Sequence, residues 1–344
     1  MKQRGLQGVN LGGWLIVERW MTPSLFKGSD AIDEYTLAAT PQGRKKLERH
    51  RATFIQEEDF AWMASHDVEI IRIPFGYWLF VEDHNYVGGL AQLDWAVEMA
   101  EKYHIKVLLD IHALPGSQNG KHHSGRIGES EWFGSKWHRQ TSLDVCKKVA
   151  QRYAASPALW GIQIINEPSF GWRQQYTLIR YYRQAYRVLA EILPNSTYVV
   201  FSDAFRPYLL AGALRRRTRG PRVAMDIHWY SWMMPLWKVS RLEHFFARIT
   251  RHTYTIHTIQ RLAHPVIIGE WGAVLPHALK PYIGDQSWRE ATTKHYLLQY
   301  SMYSQALAQC YWTYKTEKDG MWSYRYIHEK VLSESPDDAT LEVL

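Results

Sequence analysis

The sequence predicts an α/β protein folded as a single (β/α)8 TIM barrel over residues 1–344, with a short polar C-terminal tail from about 331 to 344. Three observations lead there. Eight short, β-branched apolar runs punctuate the chain, amphipathic stretches lie between them, and the runs end in polar side chains. Strands that alternate with helices pair in parallel, and eight of them close most economically into a barrel. The competing architecture is an open doubly wound sheet, but the first run is not followed by the G-x-G-x-x-G turn typical of such folds.

The runs are, in order, LQGVN (6–10), VEIIRIP (68–74), KVLLDIH (106–112), GIQIINE (161–167), TYVVFSD (197–203), VAMDIHWY (223–230), PVIIGEW (265–271) and CYWTYK (310–315). Helical periodicity is plain in LAQLDWAVEMAEKYHI (90–105), where Leu93, Ala96, Val97 and Ala100 recur at i, i+3, i+4, i+7. It recurs in YTLIRYYRQAYRVLAEIL (176–193), with a stripe through Ile179, Tyr182, Tyr186, Leu189 and Leu193. The chain after about 318 reads as one last helix and the tail. No interior linker, repeat or low-complexity stretch divides it, so one domain is expected.

Composition fits a globular protein with a large core: 46% hydrophobic and 22% charged residues. Aromatics reach 14%, with 16 Trp and 21 Tyr, more than core packing needs; flat rings with one polar edge suit stacking against sugars or bases. The two cysteines, Cys146 and Cys310, make no disulfide framework. No apolar run approaches the ~20 residues of a membrane span, so no membrane partner is expected. The N-terminus MKQRGLQGVNLGGW has no h-region or cleavage site, so the expected compartment is the cytoplasm. The net charge of +7 includes one dense basic cluster, Arg215 to Gly220, read as a solvated loop. A nucleic-acid binder needs a basic stripe interleaved with exposed aromatics, and the Arg run stands apart from the Trp-rich strand ends.

The strand ends carry Asn10, Arg72, His112, Glu167, Asp203, His228 with Tyr230, Glu270 and Trp312. A parallel barrel gathers these ends on one face, where such enzymes keep their active sites. Glu167 and Glu270, closing the fourth and seventh runs, would then meet across the mouth. Glycoside hydrolysis with retention needs two carboxyl groups ~5–5.5 Å apart, one nucleophile and one acid/base. Arg72 and Tyr230 are expected to keep Glu270 ionised, while its charge and partial burial raise the pKa of Glu167. That chemistry needs no metal or other cofactor, and neighbouring His122 and His123 lack a Cys or carboxylate spacing that would complete a metal site.

The segments GVNLGGWLIVERWMTPSLF, VEIIRIPFGYW, ALPGSQNG, INEP, SDAF, GEWGAVL and YWTYKTE, spread from residue 8 to about 317, resemble glycoside hydrolase family 5, and within it the exo-β-1,3-glucanase branch. The resemblance implies Glu167 as acid/base and Glu270 as nucleophile. It implies Asn166 as a partner of the sugar 2-OH, and Arg72, His112, His228 and Tyr230 as the polar network around the cleaved sugar. Trp312 would be its stacking floor, Glu18 a hydroxyl-binding carboxylate that closes the pocket, and Asn119 a further substrate contact. The implied partner is a β-glucoside or the end of a β-glucan.

The chain departs from that branch on the acceptor side. After GSQNG it reads KHHSG, with Lys121, His122 and His123 where the fungal enzymes have an aromatic and an Asp-Asn pair. Within SWMMPLW an entrance aromatic is replaced, and the residues Trp232 to Trp237 suit either a hydrophobic aglycone, such as a glycolipid, or a plug against the next helix. A transglycosylase would use the same glutamates. A non-enzymatic carbohydrate-binding protein on a decayed barrel predicts the loss of one carboxylate, and both are present. Oligomeric state is not indicated.

Overall fold

The computed structural model describes residues 4–214, 219–233, 242–283 and 287–333. Its eight strands are β1 (Leu6–Asn10), β2 (Ile70–Gly76), β3 (Lys106–Ala113), β4 (Leu159–Gln163), β5 (Tyr198–Ser202), β6 (Arg222–Tyr230), β7 (Val266–Gly272) and β8 (Ala308–Tyr311). They close in sequence order into one parallel barrel, β8 pairing back onto β1. All eight predicted runs overlap strands, the last only at Cys310 and Tyr311. Most of the basic cluster (215–218), the last four residues of the 232–237 stretch (234–237) and the tail from 334 lie outside the described residues.

Side-chain alternation along the strands builds two cores and the site together. One face of each strand packs outward against the helices, through residues such as Ile71, Ile73, Leu109, Val199, Ile227 and Ile268. The other face fills the barrel: Ile70, Leu108, Tyr198, Val200, Ala224, Ile267, Ala308 and Cys310 form the interior cluster. Two residues further along, that same inward face turns polar. Ile70 is succeeded by Arg72, Leu108 by Asp110 and then His112, and Ala224 by Asp226 and then His228. The barrel is thus oily at its base and charged at its mouth.

Two segments differ from the sequence expectation. β4 stops at Gln163, so Asn166 and Glu167 lie beyond the strand. Ile164 still donates to Val200 O at 3.0 Å, and the chain then turns at Glu167, whose φ is +39°. Such a conformation costs a residue with a Cβ on the order of 1–3 kcal/mol and persists only where neighbours hold it. Three contacts do so: Gln118 Nε2 donates to Asn166 O (2.8 Å), Asn119 Nδ2 to Glu167 O (2.9 Å) and Ser169 N to Gln118 O (3.0 Å). β8 likewise ends at Tyr311, leaving Trp312 just outside the ladder, its N–H bonded to Trp271 O.

The helix of 90–105 is Leu90–Lys102, with its four predicted core residues buried. The helix of 176–193 starts earlier, at Trp172, and its buried stripe is Leu178, Tyr181, Tyr182, Ala185, Tyr186 and Leu189; Ile179 is only half-buried. The last helical segment runs from Tyr324 to Leu332, its second part π-helical. Cys146 and Cys310 are buried and free.

Candidate active site

Arg72 organises the mouth of the barrel. Its side chain is fully buried, and all five N–H groups have partners. Nε donates to Gln163 Oε1 (2.9 Å), Nη1 to Asn10 Oδ1 and Glu270 Oε1 (both 2.8 Å), and Nη2 to Asn166 Oδ1 (2.8 Å) and Asp110 Oδ2 (3.0 Å). Asp226 Oδ2 lies 3.8 Å away. One guanidinium therefore ties five strands and three carboxyl groups together.

Glu270 is positioned from three sides. Arg72 holds Oε1, and Tyr230 OH donates to Oε2 at 2.8 Å. The pairing of β6 with β7 slips between Ile227 and His228, which sets His228 opposite Glu270. The preceding Gly269 is required: its N–H donates to Asp226 Oδ1 (2.7 Å), and a Cβ there would stand 2.2 Å from that oxygen.

Glu167 meets two imidazoles. His228 bridges, with Nε2 at 2.9 Å from Asp226 Oδ2 and Nδ1 at 2.7 Å from Glu167 Oε1 and 3.5 Å from Glu270 Oε2. His123 Nε2 lies 3.3 Å from Glu167 Oε2. An oxygen of Glu167, one of Glu270 and a ring nitrogen of His228 all fall within 4.8 Å of one another. This is the one grouping among the described residues with the spacing of metal ligands, but the Arg72 guanidinium already occupies Glu270 and would oppose a dication there.

The rest of the predicted set surrounds this pair. His112 Nδ1 is 2.6 Å from Asp110 Oδ2, which makes Nε2 the acceptor for Asn166 Nδ2 at 3.2 Å. Trp312 lies roughly parallel to the His112 ring, 5.7 Å away and tilted by 14°. Glu18 Oε2 accepts from Trp20 Nε1 (2.8 Å) and meets His122 Nε2 (2.7 Å). Asn119 is tied to backbone at both ends of its amide: Nδ2 donates to Glu167 O, and Oδ1 accepts from Lys121 N. Glu18, His112, Glu167, Tyr230, Glu270 and Trp312 line a cleft of about 320 Å³, whose other walls include Lys121, His122, His123, Phe205, Trp232, Met233 and the pair Trp20 and Trp322. A larger hollow, about 740 Å³, opens at the opposite end of the barrel around Arg4, Lys106 and Arg222, with no acid on its walls.

Charges in the site run against the sequence expectation. Burial alone would push Glu167 up, yet the hydrogen bond and the positive charge of His228 hold its carboxyl below the ordinary range. Glu270 is raised, by burial and by the charge of Glu167, against the pull of His228 and Arg72. His228 itself is raised well above an ordinary histidine, because Glu270, Asp226 and Glu167 outweigh its burial. The proton expected on Glu167 therefore sits on the imidazole beside it. Asp203, just past β5, is pushed up to about 7 by burial.

Gln118, Asp110, Asp226 and Gln163 are functional neighbours that the sequence reading did not single out. The signal for two of them was present: β3 and β6 both read D-I-H, and an acid two residues before an inward histidine shares its face.

A model of the family described as cellulase (glycosyl hydrolase family 5) matches residues 40–318. The chain belongs to glycosyl hydrolase family 5. This family-5 enzyme is 36% identical over 291 residues to a probable glucan 1,3-beta-glucosidase A of Aspergillus niger, covering 81% of this chain and 68% of that protein. It is 37% identical over 239 residues to a glucan 1,3-beta-glucosidase of Blumeria graminis, covering 65% and 55%. In fold it resembles the crystal structure of a rutinosidase from Aspergillus niger, with a TM-score of 0.79, 24% identity, and coverage of 96% of this chain and 98% of that one. The family-5 enzyme is a glycoside hydrolase, with carbohydrate as its substrate. No helix among its described residues is long and apolar enough to cross a membrane.

Proposed function

We propose that this glycoside hydrolase is a retaining, exo-acting β-glucosidase that removes single sugars from the non-reducing end of a β-glucoside or β-glucan. The observation that carries the reading is the approach of Glu167 and Glu270 oxygens to within 4.8 Å. That is close to the ~5–5.5 Å of retaining pairs and short of the ~6.5–9.5 Å that seats a water in inverting ones. The names of the fungal relatives support the glucan end as substrate.

In the first step Glu270 attacks the anomeric carbon and forms a glycosyl ester, while Glu167 gives its proton to the departing oxygen. In the second, Glu167 takes a proton from water, and the water displaces Glu270 with the original configuration restored. Arg72 and Tyr230 aim the two Glu270 oxygens. Asn166, its Oδ1 fixed by Arg72, offers Nδ2 to the sugar 2-OH, a bond that strengthens as positive charge grows on the ring. Trp312 supplies a stacking floor, and Glu18 binds hydroxyls at the closed end. Asn119 acts on Glu167 through its backbone, and no cofactor enters either step.

A screen of aryl β-glycosides, followed by laminari- and cello-oligosaccharides with Glu270→Ala as the blank, tests this reading. Release of glucose from chain ends is expected; activity that survives in the Glu270 variant would remove it. A second reading, an apolar aglycone, is favoured by the acceptor half of the cleft, where Phe205 is joined by Trp232 and Met233, 53% and 48% exposed. A kcat/KM on octyl β-glucoside above that on laminaribiose is its expected signature, and the reverse order ends it. Product analysis at high substrate concentration separates hydrolysis from transglycosylation.

A further inference from the structure

Glu167 has two oxygens and two imidazole neighbours. Oε1 faces His228 Nδ1 at 2.7 Å, so Oε2 is the oxygen left to exchange a proton with a departing group. Oε2 is the oxygen that His123 Nε2 approaches at 3.3 Å. His123 sits within the KHHSG segment, where the chain departs from the fungal pattern, and its side chain is 12% exposed at the cleft wall. Its other nitrogen, Nδ1, is buried with no hydrogen-bond partner. A ring held this way, with one nitrogen unsatisfied and the other turned to a carboxylate, is poorly explained as packing.

We propose that His123 is a positioning residue for the acid/base, holding Oε2 of Glu167 towards the leaving oxygen and donating Nε2–H to the carboxylate that proton delivery leaves behind. The inference rests on Glu167 being the acid/base. By favouring the ionised product, His123 makes Glu167 a stronger acid, so its help is greatest for leaving groups that need full protonation. Burial depresses His123 to about 4, so its ring is the neutral donor through the ordinary working range.

Other groups face Glu167 as well. They are His228 from β6, Tyr230 and Glu270, Asp203 past β5, and Lys121 and His122 on the same loop as His123. His122 is paired with Glu18 and raised by it, and keeps that partner when residue 123 is changed.

The test compares His123→Phe and His123→Gln with the unsubstituted enzyme on two β-glucosides, one with 2,4-dinitrophenolate and one with a simple alcohol as leaving group. H123F is expected to lose about tenfold in kcat/KM on the alcohol glucoside and under about twofold on the dinitrophenyl one. The basic limb of its pH profile should move up by about one unit, and H123Q, which still donates, should recover most of the loss. Equal losses on both substrates with an unmoved pH profile, or no loss on either, overturn the proposal. If H123F does not fold, H123Q decides alone: a profile shifted as far as removal of the donor predicts would count against it. Failure of Glu167→Ala to be rescued by azide would instead remove the acid/base reading beneath it.

Discussion

Replacing Arg72 by Met tests the electrostatic heart of the site. Arg72 Nη1 stands 2.8 Å from Glu270 Oε1, which puts the two charge centres about 4 Å apart. At an effective dielectric of ~20, that pair is worth about 4 kcal/mol, or about three pKa units on Glu270. Met removes the charge and leaves Asp110, Asp226 and Glu270 buried together, so Glu270 takes up a proton. Breaking a buried pair also costs ~3–5 kcal/mol of stability. R72M is thus expected to melt well below the unsubstituted enzyme. Its kcat/KM should fall by about a thousandfold near neutrality, with the acidic limb of the profile moved up by two to three units. Arg72→Lys separates charge from geometry. It keeps a cation, but a single ammonium cannot serve Gln163, Asn10, Asn166 and Glu270 together, so the limb should stay in place while kcat/KM falls by about ten- to a hundredfold. Steady-state pH profiles and thermal melts of both variants supply the measurements. An R72M enzyme that folds and keeps its acidic limb in the original position would refute the claim that Arg72 sets the charge of Glu270.

Three further outcomes are expected. Glu167→Ala should slow both steps, and azide should restore turnover of activated aryl glucosides with a β-glucosyl azide as product; an α-azide, or no rescue, would reassign the residue. Gly269→Ala should fold poorly or lose at least a hundredfold in kcat/KM, since a Cβ at 2.2 Å from Asp226 Oδ1 displaces the buried carboxylate that holds His228; a normal melt with full activity would show that the Asp226 side chain absorbs it. Asp203 keeps its proton to about 7 in the fold but loses it near 4 when unfolded, so stability falls as pH rises from ~4 to ~7 and then levels. Asp203→Asn removes that slope, and its melting temperature should exceed that of the unsubstituted enzyme at pH 8, by up to ~4 kcal/mol of stability, while matching it near pH 4.

The barrel was legible because its signals are local. A parallel strand buried on both faces leaves a continuous apolar run, and the first helix described above kept its four core residues without change. The ends of β4 and β8 were misplaced because apolarity does not stop where hydrogen bonding does. Ile164 and Ile165 are as buried as any strand residue, yet the last ladder bond is made by Ile164 and the chain then swings Glu167 inward. The two glutamates stood out as acids closing apolar runs. Gln118 did not, because its amide holds His112 O and Asn166 O, and nothing in a glutamine within a glycine-rich loop announces such backbone partners. The order of proton affinities was beyond any local reading. It depends on four buried carboxyl groups and two cations drawn from five strands.

That order also explains why the proton is held away from Glu167. Asp110, Asp226, Glu167 and Glu270 converge on Arg72 and His228, four acids around two basic groups, and the His228 ring between Asp226 and Glu167 is raised well above an ordinary histidine. His228 Nδ1 reaches both glutamates, at 2.7 Å from Glu167 and 3.5 Å from Glu270, and the shorter contact serves Glu167. On the retaining reading, a bound glucoside changes the balance at one oxygen. The glycosidic oxygen arriving at Oε2 accepts a hydrogen bond only from protonated Glu167, and a partner that selects the neutral form raises that group's pKa. Glu270 keeps its two donors, Arg72 and Tyr230, both of which select the anion. Once Glu167 is neutral, its charge no longer raises Glu270. Substrate binding thus pulls the proton from the imidazole to the acid; Glu270 then loses the raising charge of Glu167 and the lowering charge of His228 together, and Arg72 and Tyr230 are what hold it as the anion once a leaving group stands between the two carboxyl groups.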